Sequence, residues 1–188
     1  MSAVRDRYER MIRDIVAPVL KAHGFKKQRR TFHRPVGDNW EVIDFQASQF
    51  SSADELSFTV NLAVGLARLR QGPHTWDDGK RPPEPRCHVR ERIGFLFPEN
   101  LDRWWSITED TDTEEVAHEI TRILIQLGLP WLEARSTDER LRDLWLGQLD
   151  ALMPHELHML GQLVSLIGPP EAERAVLSAQ AARAAERS

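Results

Sequence analysis

LSFTVNLAVGL, residues 56–66, reads as the clearest strand in the chain. Leu56, Phe58, Val60, Leu62 and Val64 alternate with Ser57, Thr59, Asn61, Ala63 and Gly65. A period of two sends the first set to one side of a strand and the second set to the other. One apolar and one polar side is the pattern of an antiparallel sheet with helices on a single face.

The same alternation extends outward. Upstream, FKKQRRTFHRPV (25–36), a turn at Gly37-Asp38-Asn39 and WEVIDFQASQF (40–50) read as a hairpin of two long strands. In its second arm Ile43, Phe45 and Ala47 share one side, and Val42, Asp44, Gln46 and Ser48 the other. Downstream, CHVRERIGFLF (87–97) reads as a fourth strand, with Cys87, Val89, Ile93, Phe95 and Phe97 inward and His88, Arg90 and Arg92 outward. Glu91 breaks that pattern, and on the apolar side it needs Arg30, Arg34 or an edge position open to water. DRWWSI (102–107) supplies a fifth strand. Residues 70–86, rich in Gly and Pro, form a long loop of the kind that often serves as a flap.

Helices flank this sheet. Residues 3–23 carry one apolar stripe from Val4 to Leu20, with Gly24 as the stop and Pro18 predicting a kink near Asp14–Ala17. TDTEEVAHEITRILIQLG (111–128) has capping-box chemistry at Thr111 and Glu114 and ends at Gly128. Ser136 with Glu139 opens another helix, Pro154 a third, and an alanine-rich segment follows Gly168-Pro169-Pro170. The expected class is α+β: an N-terminal helix, an antiparallel sheet of four or five strands, and C-terminal helices. Residues 1–135 form an α+β domain, and 136–188 a helical extension packed on it.

At 188 residues the chain is long enough to bury a core without staples. Its single cysteine, Cys87, fits a reducing compartment. The first residues lack the apolar core of a signal peptide, and no apolar run is long enough for a membrane helix, so a cytoplasmic protein with no membrane partner is expected. The net charge of −4 is split: residues 1–35 carry +7 and the remainder −11. The basic part centres on Lys26, Lys27, Arg29 and Arg30, which suits nucleic acid, an acidic partner or the chain's own acidic half.

Most catalytic signatures are missing. No phosphate-binding glycine loop or nucleophile elbow is present. His155 and His158 are three apart rather than four and have no evident third ligand, so no metal site or cofactor is expected. Cys87 and His88 are adjacent on a strand and point apart, which rules out a local nucleophile–base pair. What remains is the polar side of the sheet. Asp44, Gln46, Thr59, Asn61, His88, Arg90 and Arg92 project together there, either as a site or as a solvated face with ion pairs such as Asp44 with Arg90. Trp104 and Trp105 face opposite ways, so one fills the core and the other is free for stacking; Trp105 is the one grouped with the polar side.

The order of these segments resembles the bacterial domain of unknown function 4304 family. The shared features are a helix ending in HGFKK, a strand ending in FQ, an FTVNL strand, an R-x-RIG strand and a WW pair, over about residues 6–135. The resemblance implies no activity or ligand. It draws attention to Phe45, Gln46, Asn61, Arg90, Arg92, Gly94, Trp104 and Trp105. The functional expectation is a non-enzymatic binding module that holds a small anionic ligand or a protein partner on the polar face. The alternatives are an enzyme with Asp44 or His88 as acid or base and Arg90 and Arg92 on an anion, or nucleic-acid binding through the basic hairpin.

Overall fold

The computed structural model describes residues 2–70, 74–76 and 80–185. Chain entry is helical: α1 (Ala3–Met11), a π turn (Ile12–Val16) and α2 (Ala17–Ala22) run as one rod. Proline lacks an amide hydrogen and its ring crowds the preceding turn, and a widened turn makes room for the ring. The irregularity expected from Pro18 is therefore this π turn. Gly24, at φ +86°, closes the rod, with the Gly24 and Phe25 amides donating to the Lys21 and Leu20 carbonyls.

Six strands follow among the described residues: β1 (Lys26–Gln28), β2 (Thr31–Val36), β3 (Asn39–Ala47), β4 (Leu56–Gly65), β5 (Val89–Arg92) and β6 (Trp105–Ile107). All pairs are antiparallel, in the order β1-β2-β3-β4-β5, with β6 also pairing β4. The α+β class holds, with two changes at the strand ends. The first expected strand is two, folded at Arg29-Arg30 with Arg29 at φ +56°. The RIG strand stops at Arg92 and coils into a 3₁₀ turn, Ile93–Leu96. There Gly94 lies so close to the 101–103 backbone that an added Cβ would stand 2.4 Å from the Leu101 carbonyl oxygen and the Arg103 nitrogen.

The second half is helical: α3 (Thr113–Ile123), a π turn (Leu124–Gly128), α4 (Leu129–Glu133), α5 (Asp138–Leu146), α6 (Pro154–Ile167) and α7 (Pro170–Ala185). Asp112, rather than Thr111, caps α3, accepting from the Glu114 and Glu115 amides. Thr137, rather than Ser136, caps α5. Gly128 does not stop its helix. The rod passes through it as a π turn two residues before Pro130, repeating the solution used before Pro18. Gly128 also brings that turn close to Leu62 of β4.

One continuous core joins the inward side chains of the sheet, among them Phe32, Phe45, Phe58 and Leu62, to residues from every helix. Leu141, Trp145, Leu160 and Leu163 of the C-terminal helices belong to it. Burying each such side chain is worth about 1.5–3 kcal/mol, so the helices and the apolar side of the sheet hold each other in place. No helix among the described residues is long and apolar enough to cross a membrane.

Candidate functional site

Register fixes what stands on the other side of the sheet. Directly paired residues share a face, so Gln28, Thr31, Asp44, Asn61 and Arg92 form one row across β1 to β5. Lys26, His33, Val42, Ala63 and Arg90 form the next row, and Gln46 stands beside Thr59. Gln46, Asn61, Arg90 and Arg92 thus emerge on a common side, opposite the helices.

This face is half covered. Residues 80–88 cross it as a proline-rich strap; of the long loop read as a flap, residues 71–73 and 77–79 lie outside the described residues. Two contacts tie the strap down at one end. The His33 Nε2–H donates to the Pro82 carbonyl at 3.0 Å, and Pro82 and Trp76 press on Gly65. Val42, Ala63 and Cys87, with Trp40, form a small second core beneath it. Cys87 therefore packs on this side, not with Val89 and Ile93, because the chain has not yet entered β5. Burial pushes its thiol well above the ordinary range, which leaves it inert.

His88 is the largest departure from the open polar stripe. Its side chain is buried beneath His74, stacked with ring centres 4.7 Å apart, and meets Trp76 edge-on with ring centres 5.7 Å apart. Nδ1 accepts from the Leu66 amide at 3.0 Å and Nε2–H donates to the Leu69 carbonyl at 2.9 Å. Both ring nitrogens are engaged with backbone, and burial pulls the imidazole down to about 4. His88 is a neutral pin for the chain leaving β4.

Trp105 also leaves the candidate set. It pairs with Phe58, stacks on that ring at 5.8 Å inside the core, and donates from Nε1 to Glu119 at 3.0 Å. Trp104 is the half-exposed member of the pair, and the Arg92 guanidinium lies 5.3 Å from its ring centre.

The remaining polar residues are organised by local partners. Arg90 makes a two-point contact with Glu84 of the strap, at 2.7 and 3.2 Å. An Asp44–Arg90 pair does not form, because β4 lies between β3 and β5 and separates them by about 10 Å. Arg92 instead pairs with Asp102. Asn61 Nδ2 donates to Gln46 Oε1 at 2.8 Å, which leaves the Gln46 amide nitrogen as a donor. Thr31 Oγ1 donates to Asp44 Oδ1 at 2.6 Å. Glu91, on β5, accepts from the Arg92 amide and faces Arg135 rather than Arg30 or Arg34; burial raises its carboxyl above the usual range.

Between the strap and β1–β3 runs a groove of about 620 Å³. Arg29, Arg81 and Arg90 line it with Asp44, Thr31 and Gln46, and Pro82–Pro85 form its outer wall. Arg29 and Arg81 have no carboxylate partner among the described residues. Sequence reasoning did not single out Arg81 or Glu84; the charged residues embedded in KRPPEPR were their only signal. The basic run does not form one patch. Lys26 and Lys27 point to opposite faces, Arg29 turns into the groove, and Arg30 lies 3.9 Å from Glu9.

A second groove of about 470 Å³ lies between α6, α7 and Arg68–Arg70, with Leu166, Val176 and Leu177 along it. None of the polar residues of the sheet reaches it. His155 and His158 are exposed on α6, and the described residues contain no group of three His, Cys, Asp or Glu placed to hold a metal ion.

The fold and groove define an α+β protein with one helix-covered and one strap-covered sheet face. The chain belongs to the family described as Domain of unknown function (DUF4304), whose model matches residues 16–134. Every groove residue lies within that match, whereas α5, α6 and α7 lie beyond it. Comparison with curated proteins and with solved structures gave no match.

Proposed function

We propose that this protein is a binding module that holds a small anionic ligand in the groove between the strap and β1–β3. The observation that supports this most is the pair of guanidiniums, Arg29 and Arg81, that enter the groove with no carboxylate partner among the described residues. Arginine presents a planar fork of donors matched to carboxylate and phosphate, and a cation left without a protein partner is free to take an external one. The volume falls in the range of ligand clefts, roughly 300–1,000 Å³. Arg90, anchored by the buried Glu84, shapes the wall rather than offering a free charge.

A catalytic role draws less support. With His88 engaged at both nitrogens, Asp44 is the one remaining acid or base of that reading, and the one hydroxyl bonded to it among the described residues is that of Thr31. The divided basic run likewise gives nucleic acid no continuous track.

Isothermal titration with phosphate, citrate, glutarate and glutamate tests the proposal. Binding of at least one of them, weakened tenfold or more in Arg29→Ala/Arg81→Ala, supports it. Absence of binding across the panel, or binding unchanged in that variant, overturns it.

A further inference from the structure

Two carboxylates line the groove beside its arginines: Arg90 takes up Glu84, and Asp44 is the one left over. Asp44 stands in the same groove as three arginines, yet it forms no ion pair with any of them. Its only hydrogen bond among the described residues comes from Thr31 Oγ1, to Oδ1, so Oδ2 is left without a protein donor. Asp44 is half-exposed and sits at the centre of the polar row, between Thr31 and Asn61. Sheet geometry maintains this separation. Arg90 is two strands away and held by Glu84, Arg92 is held by Asp102, and Arg29 stands on the β1–β2 turn.

A site built for a simple anion would gain nothing from a free carboxylate, which repels that anion at short range. The same carboxylate is an asset if the ligand brings its own positive group. Thr31 spends its hydroxyl hydrogen on Asp44, so the pair presents acceptors, while Arg29, Arg81 and the Gln46 amide nitrogen present donors. The groove is therefore bipolar.

We propose that the groove selects a zwitterion, a ligand with a carboxylate toward Arg29 and Arg81 and an ammonium toward Asp44, as in a free amino acid or a short peptide. This rests on the reading of the groove as a ligand site. Electrostatics then set specificity: a ligand lacking the ammonium leaves Asp44 unpaired beside its own negative charge.

Glutamate and glutarate test this directly. They share both carboxylates, and glutarate lacks only the ammonium and so carries more negative charge. A site for plain anions binds glutarate the tighter of the two; the bipolar groove binds glutamate about tenfold tighter or more, the effect of one charge-assisted hydrogen bond. Glycylglycine should likewise exceed N-acetylglycylglycine. In Asp44→Asn, which retains the shape and one acceptor, both preferences should shrink toward unity, whereas Arg29→Ala/Arg81→Ala should weaken all four ligands. If glutarate matches or exceeds glutamate in the unmodified protein, or if Asp44→Asn keeps the preference, the zwitterion assignment is overturned while the ligand site stands. If none of the four binds, and phosphate and citrate also fail, the ligand site itself falls.

Discussion

Replacing His88 with leucine probes the strap-covered face at its most buried polar point. The ring satisfies two backbone groups, the Leu66 amide at 3.0 Å and the Leu69 carbonyl at 2.9 Å. Leucine fills similar space and satisfies neither. Each buried backbone group left without a partner costs about 1–3 kcal/mol, so the loss at pH 7.5 should be about 2–6 kcal/mol. The pH dependence is the sharper test. His88 is held neutral down to about pH 4 in the folded chain, against an ordinary value of 6.5. Between those values the unfolded chain binds the extra proton, so stability falls as pH falls. The contribution is intact above pH 6.5 and is lost progressively as pH drops toward 4, a total of about 3 kcal/mol. The leucine variant lacks this term, so its deficit against the unmodified protein should narrow by about 2–3 kcal/mol between pH 7.5 and 4.5. Urea unfolding at several pH values measures both effects. Equal stability at pH 7.5, or a deficit independent of pH, would refute the assignment of His88 as a neutral pin.

Gly94→Ala forces a methyl group to within 2.4 Å of two backbone atoms, and urea unfolding should show a loss of about 3 kcal/mol or more; a loss below about 1 kcal/mol would remove the close-approach explanation. Glu41 is fully buried on the helix side, bonded to Arg34 through one carboxylate oxygen while the other has no partner. Arg34→Ala should cost about 3–5 kcal/mol by stranding that carboxylate, and the Arg34→Met/Glu41→Leu double variant should recover most of it. In the native protein Cys87 should resist a thiol reagent at pH 8 and react fully once urea is added; fast native labelling would contradict its place under the strap.

Strand parity was legible because β3 and β4 alternate without interruption, so Asp44, Gln46, Asn61 and the outward arginines could be placed on one face from spacing alone. What escaped depended on contacts distant in sequence. Nothing in Arg29-Arg30 has the Gly or Asn that usually marks a tight turn, so β1 and β2 read as one strand. The burial of His88 comes from His74 and Trp76, more than ten residues upstream, and alternation within CHVRERIGFLF carries no trace of it. The two tryptophans are equivalent to a period-two argument. Only the Phe58–Trp105 register sends Trp105 inward and leaves Trp104 beside Arg92. Gly128 and Pro130 spell a helix stop locally, yet the π turn carries the rod onward because Leu129 and Leu132 have core to fill.

Binding in the groove is read out by amide chemical-shift mapping with glutamate on ¹⁵N-labelled protein. Saturable shifts are expected at Gln28, Arg29, Thr31, Asp44 and Gln46, with the Arg29 and Arg81 side-chain Nε–H signals moving in step. Shifts confined to α6 and α7 around Leu166 and Leu177, or none at saturating ligand, would contradict it.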